Sequence, residues 1–181
     1  MTCSAEEMRT IDRECSAFVV DAIRSARPLS GLALDIPSGE GRHSRLLASF
    51  GMRVISADLE ITALTRSVEA ASHACRQRVA AVRLDATKRL PFKDGIFDLV
   101  LIVHFHLQDL LSSVERLVKN DGLLIVESYG GHGENWRTLP LAGDTSAQLS
   151  DGFRLIQYKE SPVRKNPEHV TVKAVGRKRI G

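Results

Sequence analysis

Leu32-Ala-Leu-Asp35-Ile-Pro37-Ser-Gly39-Glu-Gly41-Arg42-His-Ser44-Arg-Leu-Leu47 is the stretch that decides the fold. A short apolar run ends in Asp35, a turn carrying Gly39 and Gly41 follows, and a helical pattern then begins. A strand that breaks through glycines into a helix gathers bare backbone N–H groups and the positive helix end at one spot, which suits a polar ligand. The next apolar run, Arg53-Val-Ile-Ser-Ala-Asp58, also ends in an acid. A carboxylate at this distance from a glycine turn commonly binds ribose hydroxyls, so a nucleoside-containing cofactor is the expected ligand.

Outward from this stretch, strands and helices alternate. Ser4 and Glu7 form a candidate capping box. Met8, Ile11, Cys15, Phe18, Val19, Ala22 and Ile23 then recur at helical spacing, with Pro28 marking the end. Strand one is expected at Leu32–Ile36 and a helix at Arg42–Phe50, stopped by Gly51. Strand two is Arg53–Ala57, a helix runs from Ile61 to about His73, and strand three is Val79–Leu84, ending at Asp85. Leu90-Pro-Phe-Lys-Asp-Gly95 reads as a loop. Phe97–Val103 is apolar almost throughout, as in a parallel strand buried on both faces. Leu107, Leu110, Leu111, Val114, Leu117 and Val118 make an amphipathic helix. Asn120-Asp-Gly122 breaks it before strand five, Leu123–Ser128.

After the glycine-rich stretch Gly130-Gly-His-Gly-Glu-Asn-Trp136, Phe153–Lys159 and His169–Val175 alternate apolar and polar positions. Their connection is too short for a crossover helix, which predicts an antiparallel hairpin. The fold class is therefore α/β: a Rossmann-like, mostly parallel sheet flanked by helices, with a C-terminal antiparallel strand hairpin.

The 181 residues make one ordinary α/β domain with room for a sizeable core. A formal net charge of +3 is weak evidence for a nucleic-acid partner. Arg164, Lys165, Lys173, Arg177, Lys178 and Arg179 gather late in the chain, but no aromatic residues interleave, so a solvated tail is the preferred reading. Cys3, Cys15 and Cys75 lack the spacing of a zinc site or a disulfide framework, and no metal is expected. Free thiols suit a reducing cytoplasm. The first residues lack the basic and apolar regions of a signal peptide, and no apolar run approaches membrane-spanning length.

A parallel α/β sheet closing in an antiparallel hairpin resembles the class I S-adenosylmethionine-dependent methyltransferases, from about Leu32 to Val175. Asp35-Ile-Pro-Ser-Gly39-Glu-Gly41 matches the family's acid and glycine turn, Asp58 its ribose-binding acid, and Asp85-Ala86 its adenine-contacting pair. Leu90-Pro-Phe-Lys-Asp-Gly-Ile-Phe-Asp-Leu-Val100 and Arg116-Leu-Val-Lys-Asn-Asp-Gly122 are similar to its approaches to strands four and five. Asp35–Arg42 is similar in detail to the small tellurite-resistance-type branch. The resemblance implies one domain over 1–181, with an N-terminal helix (1–28) covering the cofactor site and a Rossmann-like core (29–181). It implies S-adenosylmethionine as cofactor, held by Asp35, Pro37, Gly39, Gly41, Asp58, Leu59, Asp85, Ala86 and His104. Pro37 departs from the pattern, since it replaces the first glycine and has no N–H to offer. The turn must then rely on the N–H groups near Gly39 and Gly41.

Methyl transfer needs alignment of the acceptor and exclusion of water, with a general base where the acceptor loses a proton. His104 and Tyr129, after strands four and five, are the candidate catalytic residues, with His106, His132, Glu134 and Trp136 as further polar or lid candidates. The sequence lacks an Asn-Pro-Pro-Tyr-like motif after strand four, lacks a Pro-Cys nucleophile, and carries little insertion beyond the core. The expected partner is a small-molecule methyl acceptor; nucleic acid is not expected, and homo-oligomerisation stays open. The competing readings are an RNA or protein methyltransferase and a S-adenosylmethionine-binding protein without catalysis. Gly39-Glu-Gly41-Arg-His-Ser44 also keeps a dinucleotide site open.

Overall fold

The computed structural model describes residues 5–26, 29–105, 108–129 and 135–180. They fall into two compact units, Met1–Ala86 and Thr87–Gly181, and supply the seven strands of a mostly parallel sheet.

In the first unit, the N-terminal helical pattern is divided into α1 (Ala5–Glu14) and α2 (Ala17–Ser25). Ser16 interrupts it with extended backbone, φ −62 and ψ 130, and its N–H donates to His43 Nε2 at 3.3 Å. The periodicity runs through the break because Phe18, Val19, Ala22 and Ile23 keep one buried stripe. The candidate Ser4 cap lies outside the described residues. Strands β1 (Leu32–Asp35), β2 (Arg53–Asp58) and β3 (Val79–Arg83) are parallel in the order β3-β2-β1. Asp35 stands opposite Ser56, and Asp58 opposite Arg83. Between them come α3 (Arg42–Ser49), α4 (Ile61–Glu69) and the short α5 (His73–Arg76). The helix expected to reach His73 stops at Glu69, and Ser72 caps the next turn, its hydroxyl accepting the Cys75 N–H at 3.4 Å. Ile23, Leu34, Leu46, Leu47 and Met52 are fully buried and form the core of this unit.

The second unit holds β4 (Phe97–Val103), α6 (Gln108–Leu117), β5 (Val118–Glu127), a single 3-10 turn (Asn135–Thr138), α7 (Asp144–Ser150), β6 (Phe153–Pro162) and β7 (Val170–Lys178). Its strands run β4-β5-β7-β6. β4 and β5 are parallel, and β7 is antiparallel to both of its neighbours. Leu99, Val100 and Leu101 are fully buried, as their unbroken apolar run implies. Leu110, Leu111, Val114 and Leu117 give α6 its buried stripe. Arg116 of α6 fixes the loop before β4, donating to the carbonyls of Leu90 at 2.7 Å and Phe92 at 3.0 Å.

Two features of this unit differ from the sequence reading. β5 begins at Val118, so Asn120-Asp-Gly122 lies within a strand rather than before one. Phe97 pairs with Val118, yet Leu99 pairs with Leu123, and the intervening residues bulge out. Asp121 takes a left-handed φ of 61, so the turn chemistry is real but local. Helix α7 was also not expected; only Thr145 and Leu149 are buried along it, too few to set a period. No helix among the described residues is long and apolar enough to cross a membrane.

Candidate cofactor site and strand-end residues

The glycine turn is braced from inside the chain. After Asp35, with a cis peptide between Ile36 and Pro37, the Ser38 N–H donates to the Ala57 carbonyl at 2.8 Å. The Gly41 N–H donates back to the Ser38 carbonyl at 3.0 Å. Asp58 accepts the Gly39 N–H at 2.7 Å on Oδ2 and the Glu60 N–H at 2.9 Å on Oδ1. Both glycine N–H groups expected to face a ligand are therefore engaged within the protein. Pro37 has no N–H either, so the turn's backbone offers less than its sequence promises.

The two glycines do different work. Both take positive φ, 53 at Gly39 and 70 at Gly41. A Cβ on Gly41 would lie 1.8 Å from Ser67 Oγ of α4, so this glycine permits close helix packing. A Cβ on Gly39 would meet nothing within 4 Å, so the space over Gly39 is open. Beside it stands Ser38, 7% exposed, whose Oγ is buried without a hydrogen-bond partner among the described residues. A buried hydroxyl is rarely left so. Sequence reasoning passed over Ser38; the signal was a hydroxyl residue set between Pro37 and Gly39.

Asp35 is 1% exposed and accepts the Ser44 hydroxyl at 2.6 Å. Burial pushes its carboxyl up to about 7, against the lowering effect of the hydrogen bonds from Ser44. It braces the first turn of α3 from within. From the other direction, the Cys15 thiol donates to the Arg42 carbonyl at 3.4 Å, and Arg45 pairs with Glu14 at 2.8 Å. Burial pushes the Cys15 thiol up to about 12, which keeps it protonated as a donor.

Asp58, Leu59, Asp85 and Ala86 follow at the carboxyl ends of β2 and β3. The Leu84 N–H donates to the Asp58 carbonyl at 3.0 Å, and Arg83 Nε to the Leu59 carbonyl at 3.0 Å, lacing the two strand ends together. Leu59 is 49% exposed, an uncovered apolar side chain next to the Asp58 carboxylate. Asp85 and Ala86 are half-buried. All of the cofactor residues expected in the first unit thus belong to the glycine turn or to the strand ends beside it. The arrangement fits S-adenosylmethionine. Asp58 keeps lone pairs for a ribose diol, Leu59 offers apolar surface, Ser38 has an unmet hydroxyl, and the space over Gly39 is clear. Among the described residues, no group of three or more His, Cys, Asp or Glu is placed to hold a metal ion.

In the second unit, His104 and Tyr129 come together. Their rings stack at 6.0 Å between centroids and 22° between planes. His104 is exposed, has a left-handed φ of 55, and donates its backbone N–H to the Glu127 carbonyl at 2.7 Å. Ser128 accepts the Val172 N–H on its hydroxyl at 2.7 Å and donates to the Tyr129 carbonyl at 3.3 Å, which anchors Tyr129. Glu127, which the sequence reading did not single out, is 7% exposed and pairs with Lys173 at 2.9 Å. His106, His132 and Glu134 lie outside the described residues, as does the side chain of Trp136.

A mostly parallel sheet closed by an antiparallel pair, with a braced glycine turn and acids at successive strand ends, defines a Rossmann-like nucleoside-cofactor protein. The family model described as "Methyltransferase domain" matches residues 34–126, just over half of the chain, and the chain belongs to that family. It is an S-adenosylmethionine-dependent methyltransferase.

Among solved structures, a TehB-like SAM-dependent methyltransferase from Corynebacterium glutamicum is similar at 20% identity, with TM-score 0.66, covering 97% of this chain and 96% of that one. A SAM-dependent methyltransferase from Methanosarcina mazei is similar at 19% identity, with TM-score 0.66, covering 88% and 97%. The cyclase SpnF is similar at 16% identity, with TM-score 0.71, covering 90% and 80%. A search of curated proteins finds no match.

Proposed function

We propose that the protein transfers the methyl group of S-adenosylmethionine to a small-molecule acceptor, and that Asp58 is the principal cofactor contact. Bound S-adenosylmethionine supplies a methyl group on a sulfonium sulfur, with a neutral thioether as leaving group. Asp58 accepts the ribose hydroxyls while its own hydrogen bonds hold the glycine turn. Ser38 meets the polar amino-acid end, Leu59 covers the base, and Asp85 accepts from the adenine amine with Ala86 leaving room. Asp35, Pro37 and Gly41 act by fixing the shape of the turn, and Gly39 by leaving space. His104 takes the proton of an acceptor that must lose one, and Tyr129 holds the imidazole in place. The N-terminal helices serve the cofactor site by bracing α3. Asp35–Arg42 supports placing the chain with the small tellurite-resistance-type branch.

One observation favours a small acceptor over RNA. Three of the late basic residues are paired with acids: Lys173 with Glu127, Arg177 with Asp121 and Lys178 with Glu115. A cation whose charge is met within the fold contributes less to a phosphate-binding face. A shared fold does not fix the acceptor, so the acceptor is identified by screening. Calorimetric titration with S-adenosylhomocysteine, with NAD as control, is the first test. We expect saturable binding of the former alone, weakened about tenfold or more by Asp58→Ala, followed by methyl transfer in an acceptor screen. Preference for NAD, or unchanged affinity in the variant, would overturn the assignment.

A further inference from the structure

The carboxyl end of β5 carries an acid whose valence is only half used. Glu127 Oε1 meets Lys173 Nζ at 2.9 Å, while the side chain is 9% exposed. Its other oxygen, Oε2, is buried and has no hydrogen-bond partner among the described residues. An unmet buried acceptor is costly, and more so on a charged group. The surrounding strand does not require an acid, because Ile125 and Val126 just before it are fully buried apolar residues. Glu127 is also joined to the candidate catalytic residue, through the hydrogen bond from the His104 N–H to its carbonyl. The exposed His104 ring stacked on Tyr129 supplies a flat face at the same strand ends.

We propose that Glu127 receives an N–H or O–H donor of the methyl acceptor on Oε2 and so selects for acceptors that carry such a donor. This rests on the methyltransferase reading above. Lys173 balances one negative charge, so the site takes a neutral donor, while an anionic substituent would set a second carboxylate against the first. Glu127 thereby acts on specificity: it holds the acceptor's polar group and leaves proton removal to His104.

The test uses three probes with the same ring: phenol and aniline, which carry a donor, and benzoate, which carries an anion. Binding to the full chain saturated with S-adenosylhomocysteine is followed by nuclear magnetic resonance titration. The wild type is expected to bind phenol and aniline at least tenfold more tightly than benzoate. Glu127→Gln, nearly equal in volume, should erase that preference while leaving S-adenosylhomocysteine affinity unchanged. Glu127→Asp keeps the charge but withdraws it by one methylene, and should weaken phenol and aniline without admitting benzoate. A purely structural ion pair would shift all three probes alike. The proposal is overturned by a wild type that binds no donor probe or prefers benzoate, or by Gln and Asp variants that keep the wild-type preference. Loss of S-adenosylhomocysteine binding by the wild type would instead remove the methyltransferase reading, a result separable from the others.

Discussion

Asp35 ends β1 with its carboxyl withdrawn from water and hydrogen-bonded by the Ser44 hydroxyl at 2.6 Å. Its position at the end of β1 was legible from the apolar run before it. Its burial was not, because that depends on Ser44 and the first turn of α3 closing over it. Since the folded carboxyl titrates near 7 and an unfolded one near 4, the native state holds the proton more tightly. Stability is then highest below about pH 4 as far as this group is concerned, and it falls by roughly 4 kcal/mol as pH rises to about 7. Asp35→Asn should abolish that slope, read from urea unfolding at pH 5 and pH 8; parallel slopes in variant and wild type would refute it. The paired glycines give a second contrast. Gly41→Ala forces a Cβ onto Ser67 at positive φ and should cost roughly 2–4 kcal/mol of stability. Gly39→Ala meets only open space, so its folding cost should be about 1–2 kcal/mol, with the larger loss appearing in S-adenosylhomocysteine affinity. Nothing in the spacing of the two glycines distinguishes them; only the position of α4 does.

Elements were legible where burial follows a plain pattern, continuous on both faces or alternating between them. β4, Phe97–Val103, matches the apolar run residue for residue; alternation marked the last two strands, and their short connection foretold an antiparallel pair. The reading failed where a local signal was overruled by the neighbouring strand. Asn120-Asp-Gly122 has the chemistry of a turn, but β4 and β7 hold the flanking residues in the sheet. Lys119 Nζ pins the bulge to the Asp98 carboxylate at 2.9 and 3.0 Å, and Arg177 to the Asp121 carbonyl at 2.8 Å. Gly122 has no room for a side chain: a Cβ would lie 2.8 Å from Val118 Cγ1 and 2.9 Å from the Lys119 carbonyl. Gly122→Ala should therefore destabilise the protein by about 1–3 kcal/mol, seen as a lower midpoint in thermal or urea unfolding. A wild-type midpoint would show that the bulge is not held as described. The division of α1 from α2 was hidden for a related reason, since the partner that draws away the Ser16 N–H is a histidine far along the chain.

At the scale of the whole molecule, cofactor binding and folding are linked. S-adenosylhomocysteine at one hundred times its dissociation constant should add about 2.7 kcal/mol, which for a chain of this size raises the melting temperature by about 5–10 °C. NAD at the same concentration should leave it unchanged, and equal shifts from both ligands would count against the site. The fold class was readable from the alternation of strands and helices and from the short last connection, whereas the strand order of the second unit was not, because it records where β7 settles rather than what β7 is. That order governs how the protein can be made. On a ribosome, β5 emerges with its outer edge bare, and β6 follows with nothing to pair against. The strand that fills the space between them, β7, is synthesised after both. The second half of the sheet thus stays open until that strand is free, and a stalled or frameshifted product lacking it exposes two unpaired edges at once, ready templates for aggregation or for capture by chaperones.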